Sequence, residues 1–370
     1  MRAVVTRPGA GRAWLADIPE PTIADPHQVA VRMQRVGVCG TDRHVMSTGI
    51  GGARSLPAGD DYLVLGHEAV GRVERVGDAV RALNVGDLVV PTVRRGCQEC
   101  PACLDNQADL CFTGRIRERG IVGLHGFLSE RIVEHEDFLI HVPNELAEVA
   151  PLVESLTTPE KALRRIGNAR AHLPGGAIQR ALVTGSGPIA LLAVLALRLR
   201  DIPTWVLARQ PSGGPAEAFA RACGATYVQL GEVDLNEPRA RLGAFDAIVE
   251  ATGAVELGVG MLGALAPNGV LDLVGGVAES KAVPIQAATL GAMVGRNLTL
   301  LGSVNANTAD WRAAVADLTA MRTTFPGTVE SLITHTFGMP DVDVAFERVP
   351  GQIKAVIDID PRLTHSGRHT

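Results

Sequence analysis

The pattern of apolar and polar positions divides the chain into two rhythms. Up to about residue 150, short β-branched runs alternate with Gly and Pro, as at 28–33, 69–76 and 87–90. Such runs are typical of a β-rich, barrel-like domain. From about 180 onward, strand, turn and helix patterns repeat, and strands are predicted at 181–184, 204–208, 226–230, 245–249, 270–274 and 298–301. This alternation predicts a parallel, doubly wound sheet.

The remaining C-terminal segment is too short to bury a core of its own. An amphipathic helix is predicted at 310–321 and a strand at 353–359, so we expect the tail to pack back on the first domain. Its last residues, 364–370, are polar and are expected to fray. The sequence therefore predicts an α/β protein with a β-rich domain at 1–155 and 306–370, and a Rossmann nucleotide-binding domain at 156–305.

Composition narrows the classes of function. The 370 residues are 46% hydrophobic and 20% charged, a balance typical of globular proteins. With 35 Lys and Arg against 40 Asp and Glu, the net charge of −5 argues against general nucleic-acid binding. Neither an export signal nor an apolar run of about eighteen residues is present. We therefore expect a cytoplasmic protein that acts on a small molecule, without a nucleic-acid or membrane partner.

Four of the six cysteines fall within a short loop, at Cys97, Cys100, Cys103 and Cys111. Tight Cys-x-x-Cys turns present thiolates to one tetrahedral Zn²⁺, and in a long intracellular chain such a cluster favours metal over disulfides. Four thiolates leave no open coordination position. The lobe at about 94–115 is therefore predicted to hold a structural zinc that performs no chemistry, with an iron–sulfur cluster as the alternative.

A glycine-rich turn follows the first predicted strand of the second domain. Gly185-Ser186-Gly187-Pro188-Ile189-Ala190 has the form G-x-G-x-x-A, which allows a sharp turn and the close approach of a pyrophosphate. Pro suits the first helical turn, whose exposed N–H groups attract phosphate. The hexapeptide alone could be a packing turn. Within six predicted strands, it favours a dinucleotide cofactor.

The tip of the second predicted strand bears on the choice between NAD and NADP. An Asp or Glu would ordinarily hold the ribose 2′-hydroxyl of NAD there, but Ala208 and Arg209 occupy the position and no acidic residue follows before Glu217. We therefore favour NADP; the alternative is that Arg209 is solvated and both cofactors are accepted. The turns at Thr252 and Gly275, after the fourth and fifth strands, are also expected to approach the cofactor.

Two further motifs, ambiguous by themselves, complete a resemblance. Cys39-Gly40-Thr41-Asp42 and Gly66-His67-Glu68-Ala69-Val70-Gly71, followed by the cysteine lobe and the nucleotide loop, resemble zinc-dependent medium-chain alcohol dehydrogenases over nearly the whole chain. Four stretches are similar to the glucose 1-dehydrogenase branch: Val90-Pro91-Thr92-Val93-Arg94-Arg95, Glu118-Arg119-Gly120-Ile121, Glu154-Ser155-Leu156-Thr157-Thr158-Pro159-Glu160-Lys161 and Gly302-Ser303-Val304-Asn305-Ala306-Asn307.

The resemblance implies a GroES-like catalytic domain beside the Rossmann domain. It implies that Cys39, His67 and Glu154, directly or through a water, bind a catalytic zinc, and that Glu68 is adjacent and able to exchange or tune the site. Three protein ligands leave an open position for a substrate hydroxyl. Thr41 resembles the hydroxyl that relays the proton, and hydride would pass from the anomeric carbon of an aldose to the cofactor, giving the lactone.

Recognition of a sugar requires polar groups that converge on several hydroxyls. The resemblance suggests Glu118, Asn307, Glu154 and Thr41 for this role, and places Asn305 in a loop beside the nicotinamide. From the residues alone, a solvated charge in a loop is the preferred interpretation of Glu118, and turn formation is the alternative for Asn305 and Asn307.

Departures from the family pattern leave the sugar open. Ser155 replaces the usual Pro, and Thr158 stands where some relatives carry an acidic residue that contacts the sugar. Glu160 and Lys161 match the pattern but could form only a helix-surface pair.

Two alternatives remain at this level. One is a polyol or other secondary-alcohol dehydrogenase, and the other is a non-catalytic zinc- and nucleotide-binding protein, which predicts one zinc per chain instead of two. The resemblance also suggests a homodimer or homotetramer, and an edge strand near 298–301 could pair across a two-fold axis.

Overall fold

The computed structural model describes residues 1–49, 55–276 and 282–360, so the tail predicted to fray at 364–370 lies outside the described residues. The strands, in chain order, are β1 (Arg2–Thr6), β2 (Ala13–Asp17), β3 (Gln28–Val38), β4 (Leu63–Val64), β5 (Glu68–Val76), β6 (Leu88–Pro91), β7 (Arg94–Arg95), β8 (Arg117–Arg119), β9 (Gly123–Leu124), β10 (Arg131–His135), β11 (Leu139–His141), β12 (Ala181–Thr184), β13 (Thr204–Ala208), β14 (Thr226–Gln229), β15 (Phe245–Glu250), β16 (Leu265–Leu273), β17 (Thr299–Gly302), β18 (Ile333–Gly338) and β19 (Lys354–Asp358). The α-helices are α1 (Gly40–Thr48), α2 (Pro101–Leu104), α3 (Leu152–Arg170), α4 (Pro188–Leu199), α5 (Pro215–Ala222), α6 (Pro238–Leu242), α7 (Val255–Met261), α8 (Ala287–Gly295), α9 (Thr308–Thr324) and α10 (Val342–Ala345).

The described chain forms two compact units. Unit 1 comprises Met1–Glu154, Asn305–Val315 and the described residues from Glu330 onward, and unit 2 comprises Ser155–Val304 and Ala316–Val329. The sequence pattern placed the whole tail in the first domain, whereas residues 316–329 pack in unit 2. The physical reason is that the apolar side chains in the second half of α9, including Leu318 and Met321, are fully buried.

Strand β3 is the central strand of unit 1. It pairs antiparallel with β5, with β10 and, near its C-terminal end, with β19. The resulting sheet has the order β11-β6-β5-β3-β19-β18, and smaller sheets have the orders β2-β1-β4 and β7-β8-β9. Val29, Val31 and Met33 alternate along β3 and are fully buried. This period of two is the pattern of a strand that packs one face against a core.

Unit 2 is built on a six-stranded parallel sheet. Its strand order is β14-β13-β12-β15-β16-β17, and every neighbouring pair is parallel. The order reverses at β12, which is the arrangement of dinucleotide-binding doubly wound folds. Leu182, Ile248 and Leu271, from three of these strands, belong to one buried cluster. The α/β class and the parallel sheet predicted from the sequence are confirmed.

The predicted elements are present with shifted ends. Strand β16 begins at Leu265, before the predicted 270, and α9 extends over Thr308–Thr324, beyond the predicted 310–321. Among the described helices, none has both the length and the hydropathy that crossing a membrane requires.

Glu160 and Lys161 on α3 are buried, so the expectation of a helix-surface pair was wrong. Their exposed fractions are 4% and 2%. Lys161 Nζ donates to the carbonyl oxygen of Val304 at 2.8 Å, and the Glu160 carboxylate lies 2.7 Å from Arg200 Nη2. Each side chain therefore pairs inside unit 2 with a group remote in sequence, which helical spacing alone does not reveal.

The buried Glu160 carboxyl predicts a pH-dependent stability. Burial raises its pKa to about 7, with Arg200 opposing the shift and Asp317 adding to it. Because the folded state then binds more protons than the unfolded chain between pH 4.5 and about 7, the stabilisation from this group falls as the pH rises through that window. We expect Glu160→Gln to flatten the pH dependence of the unfolding free energy, measured by urea unfolding across this window.

The control is Glu232→Gln, which alters an exposed carboxylate paired with Arg241 and should keep the wild-type pH dependence. An unchanged dependence in Glu160→Gln would contradict the prediction.

Candidate functional site

The four cysteines of the lobe converge on one point. The sulfurs of Cys97, Cys100, Cys103 and Cys111 all lie within 4.8 Å of one another. The short helix α2 starts directly after Cys100, so its first turn carries Cys103 back toward Cys97. A Cβ on Gly96 would lie 2.3 Å from Cys103 Sγ, so this position has no room for a side chain.

The spacing of these sulfurs fits zinc. Cys97 Sγ and Cys103 Sγ are 3.8 Å apart, close to the edge of a tetrahedron with Zn–S bonds of about 2.3 Å. All six cysteines are present as thiols rather than disulfides. The cluster therefore has the donor set and geometry of a closed structural metal site.

A second group of metal-binding side chains forms around His67. Ligand atoms of Cys39, His67 and Glu68 lie within 4.8 Å of one another. Cys39 is the residue before α1, whereas His67 and Glu68 stand at the start of β5. One thiol, one imidazole and one carboxylate form a mixed set suited to a metal that keeps an open position. The structure thus joins two motifs that sequence spacing could not pair.

Asp42 orients His67, and this role of Asp42 was not predicted from the sequence. Its fully buried carboxylate accepts hydrogen bonds from the backbone N–H groups of Cys39, at 2.8 Å, and Gly66, at 3.2 Å. One of its oxygens lies 3.3 Å from His67 Nδ1, which leaves Nε2 to face a metal. Burial opposes the charge of Asp42, but His67 and the N–H donors lower its pKa overall. The signal available in the sequence was an acidic residue at the third position of a helix, three residues after the N-cap Cys39.

Glu68 forms a buried ion pair with Lys354. Lys354 Nζ lies 2.6 Å from both carboxylate oxygens, and both side chains are buried. Burial opposes the charge on Lys354, but the neighbouring Glu68 raises its pKa overall. A Cβ on Gly37, opposite Glu68 on β3, would lie 2.1 Å from Glu68 Oε2, so only glycine fits there. Lys354 was missed because nothing near it in sequence carries chemistry.

Glu154 and Thr41 lie at the edge of this cluster. Burial raises the pKa of Glu154 to about 7, with His67 opposing the shift and Glu68 adding to it. Its carboxylate is not in the converging set, so the structure groups Glu68 rather than Glu154 with Cys39 and His67. Thr41 Oγ1 lies 3.7 Å from Cys39 Sγ.

Glu118 is part of a compact polar contact rather than a solvated charge run. Arg94 Nε donates to its carboxylate at 2.9 Å, and the side chains pair across β7 and β8. Asn305 Nδ2 donates to the same carboxylate oxygen at 2.9 Å. Asn305 itself has a left-handed backbone, with φ of 56°.

Asn307 serves as the start of a helix. Asp310 N donates to Asn307 Oδ1 at 3.0 Å, and Asn307 N donates to Asp310 Oδ2 at 3.1 Å. This reciprocal pair caps α9. The structure therefore brings Glu118 together with Asn305 and engages the side chain of Asn307 in a cap.

The predicted nucleotide loop lies at the carboxyl end of β12, where the strand order reverses. Gly185 has φ of 105°, Gly187 is the N-cap of α4, and Pro188 is its first residue. Ser186 and Ile189 flank this cap, and Ala190 is fully buried against the strand. Among the described residues, a Cβ on Gly187 would meet no atom within 4 Å. The loop therefore leaves the N–H groups at the start of the helix accessible to a phosphate.

The tip of β13 carries no acidic side chain. Ala208 is its last residue, and Arg209 is exposed and takes part in no ion pair within the described ranges. Tyr227 donates a hydrogen bond to the carbonyl oxygen of Gln210 at 2.6 Å, which holds the turn after Arg209. A cation thus stands where NAD-specific folds carry a carboxylate.

Thr252 and Gly275 follow the carboxyl ends of β15 and β16, at the same sheet edge as the nucleotide loop. A Cβ on Gly275 would lie 2.1 Å from Gly253 N, so the two turns are in direct backbone contact. All predicted cofactor residues except Asn305, which belongs to unit 1, lie at this edge.

Known protein families match nearly the whole chain. Residues 147–359 match the family model described as Glucose dehydrogenase C-terminus, and residues 25–144 match Alcohol dehydrogenase GroES-like domain. The GroES-like fold implied by the resemblance is confirmed.

Curated relatives and solved structures agree with these matches. Glucose 1-dehydrogenase 2 of Vulcanisaeta moutnovskia is 35% identical, over 97% of this chain and 99% of that protein. Glucose 1-dehydrogenase of Metallosphaera sedula is 34% identical, over 97% and 98%. The solved structure of Haloferax mediterranei glucose dehydrogenase in complex with NADP, Zn and gluconolactone has a TM-score of 0.88 and 32% identity, covering 97% of this chain and 99% of that one.

The two clusters predict two zinc ions per chain. We expect metal analysis of the purified protein to find about two, and Cys39→Ala to retain about one because it removes a ligand only from the His67 cluster. The double variant C97A/C100A should lose the other zinc and unfold at a lower temperature.

Cys223→Ala is the matched control, because Cys223 is buried outside both clusters. It should keep both metals. A wild-type protein with a single zinc would contradict the two-site interpretation.

Proposed function

The chain belongs to the glucose dehydrogenase family of zinc-dependent medium-chain dehydrogenases, and from this membership and the geometry of its site we propose that it oxidises an aldose such as glucose at the anomeric carbon, with NADP as hydride acceptor. The observation that carries the proposal is the convergence of Cys39, His67 and Glu68 in a chain that also has a dinucleotide loop at β12. The product is the aldonolactone.

Zinc and NADP would supply the reactive chemistry when bound. Bound zinc would polarise the substrate hydroxyl, and NADP would accept the hydride. Cys39 and His67 would hold the metal, with Glu154 as a further ligand directly or through water and with Glu68, which converges on Cys39 and His67, able to exchange with it. Asp42 keeps His67 oriented, and Lys354 neutralises Glu68 beside the ligands.

Thr41 is proposed to relay the proton of the anomeric hydroxyl: its oxygen would accept that proton while its own hydroxyl proton passes on to solvent. Its hydroxyl lies 3.7 Å from Cys39 Sγ, so it stands beside a proposed ligand and is able both to accept and to donate a hydrogen bond. This proton leaves as the hydride passes to the cofactor, so the substrate loses two hydrogens and becomes the lactone.

Glu118 and Asn305 are proposed to bind sugar hydroxyls. The carboxylate accepts from Arg94 and Asn305, and the side-chain oxygen Oδ1 of Asn305 accepts from Ala306 N at 2.9 Å. Such a fixed pair discriminates strongly for hydroxyls, since a substrate that lacks them leaves the polar groups unsatisfied. Asn307, whose side chain caps α9, fits a structural role better than the substrate role suggested by the sequence.

NADP is proposed as the preferred cofactor because of Arg209. An exposed guanidinium pairs well with a 2′-phosphate, and no carboxylate at the tip of β13 would repel it. The Haloferax mediterranei relative, whose solved structure contains NADP, supports this preference.

A substrate panel tests the function. We expect cofactor reduction with glucose, galactose or xylose, and a higher kcat/KM with NADP than with NAD, measured by absorbance of the reduced nicotinamide. Ethanol, benzyl alcohol and a polyol complete the panel. Turnover confined to the simple alcohols or to the polyol would reject the aldose assignment, and a preference for NAD would reject the role of Arg209.

Two asparagine variants separate sugar binding from helix capping within the same panel. Asn305→Ala should raise the sugar KM about tenfold and leave the KM for NADP unchanged, since it removes a group proposed to contact the hydroxyls. Asn307→Ala should instead lower stability by about 1 kcal/mol with little change in sugar KM. A raised KM for NADP in Asn305→Ala, together with a raised sugar KM in Asn307→Ala, would restore the roles first expected of the two residues.

We also infer a homodimer formed through the edge of the unit 2 sheet. Within the described parts of the chain, strand β17 pairs on one side only, and Leu300 on it is 43% exposed. Helix α8 has no buried residue and carries Val294, which is 81% exposed. An exposed apolar edge strand is a template for pairing with a second copy across a two-fold axis.

Light-scattering mass tests this interface. Leu300→Lys should convert the dimer to a monomer, because two like charges would face each other across the axis. Leu104→Lys, at an exposed position of the cysteine lobe, is the matched control and should remain dimeric. A wild-type monomer, or an unchanged mass for Leu300→Lys, would reject this interface.

A further inference from the structure

The carboxylate of Glu250 lies at the centre of the sheet edge proposed to bind the cofactor. Glu250 is the last residue of β15 and is buried. Its oxygen Oε1 accepts hydrogen bonds from Thr184 Oγ1 at 3.1 Å and from Thr252 N at 2.8 Å, and also accepts from the Thr252 hydroxyl. Its oxygen Oε2 accepts from Gly253 N at 3.1 Å. One carboxylate therefore organises the end of β12 and the turn after β15.

The main chain of Glu250 organises the next turn as well. Its carbonyl oxygen accepts hydrogen bonds from Val274 N at 2.9 Å and Gly275 N at 3.0 Å. Gly253, with φ of 72°, packs so closely on this turn that a Cβ would lie 2.2 Å from Gly276 O. The turns after β15 and β16 are therefore joined into one backbone unit by Glu250.

This unit abuts the nucleotide loop. A Cβ on Gly185 would lie 3.1 Å from the Thr252 methyl group, so the position of Thr252 sets the space beside the first glycine of the loop. Thr252 is in turn held by Glu250 through both its N–H group and its hydroxyl. A shift of the Thr252 turn would therefore reach the Gly185 turn directly.

The contact requires a hydrogen-bond acceptor at both side-chain oxygens. The ion pairs of the described residues do not include Glu250, and its carboxylate accepts hydrogen bonds from N–H and O–H groups alone within the described part of the chain. An ionised carboxylate is an acceptor at both oxygens, whereas the Gln amide would direct its own NH₂ group at one of these donors. A neutral isostere therefore cannot reproduce the turn, although it fills the same volume.

We propose that Glu250 is a positioning residue for the dinucleotide, setting the turns at 251–253 and 274–276 against the Gly185 loop. The inference rests on the proposed function, because ligands of doubly wound sheets bind at the carboxyl ends of the strands, where these turns lie. Glu250 acts through Thr252 and Gly253.

A control for the test exists at the opposite end of the same strand. The carboxylate of Asp246 accepts from Gln179 N at 2.9 Å and Arg180 N at 3.0 Å, and Arg170 lies 3.3 Å away. It organises a turn with a comparable number of hydrogen bonds, but at the amino edge. It lies four residue steps along the strand from Glu250, roughly 13 Å away.

The experiment compares NADPH binding by the zinc-loaded full-length chain, followed by fluorescence without sugar, for wild type, Glu250→Gln and Asp246→Asn. We expect Glu250→Gln to raise the Kd at least about tenfold, the effect of one or two lost hydrogen bonds. Asp246→Asn should lower the thermal midpoint of unfolding about as much as Glu250→Gln does, while keeping the wild-type Kd. The sugar KM at saturating NADP should change less than twofold in Glu250→Gln.

The outcomes distinguish the positioning role of Glu250 from the proposed function. A wild-type Kd in folded Glu250→Gln, or an equal rise of the Kd in Asp246→Asn, overturns the positioning role and leaves the proposed function intact. Failure of the wild-type protein to bind NADPH would instead reject the proposed function. If Glu250→Gln does not fold, Thr184→Val removes one donor to the same carboxylate; we expect a smaller rise in Kd, and an unchanged value overturns the proposal.

Discussion

Lys354 reaches both oxygens of Glu68 in the interior of unit 1, and the arrangement of the proposed metal site depends on this pair. It links the last described strand, β19, to the start of β5, beside His67. Removing one partner of a buried pair costs about 3–5 kcal/mol, because the other charge is left uncompensated. Burial of the Glu68 carboxylate therefore requires the pairing of β3, β5 and β19 that brings Lys354 to it.

The same constraint recurs with backbone donors in place of a cation. Asp42 is satisfied by the N–H groups of Cys39 and Gly66 and orients His67, whereas Glu250 is satisfied by donors from β12 and from its own turn. A buried carboxylate is stable only when its acceptors are filled. Each of these carboxylates therefore fixes the backbone donors around it, next to the groups proposed to bind zinc or dinucleotide.

Polar side chains near the proposed sugar site show how structure distributes roles between similar residues. Asn305 and Asn307 stand two positions apart in one loop, and for each of them the sequence left open a binding role or a role in a turn. In the structure, Asn305 contacts Glu118 and Asn307 caps α9. Glu160 and Lys161 are a second case, because adjacent helix positions find separate buried partners.

What the sequence determined by itself was local. Short spacings in the sequence are enough to recognise the cysteine cluster, the glycine-rich loop and the alternating strand and helix pattern. The reason is that a metal-binding turn and a helix start involve only residues close together in the chain. The match to the family added Cys39 and His67 as a pair. Only the tertiary structure decided which distant groups complete these sites: Lys354 on Glu68, Asp42 on His67, Asn305 on Glu118. These contacts depend on strand pairing and burial over long separations, and no spacing in a single sequence records which buried charge finds which partner.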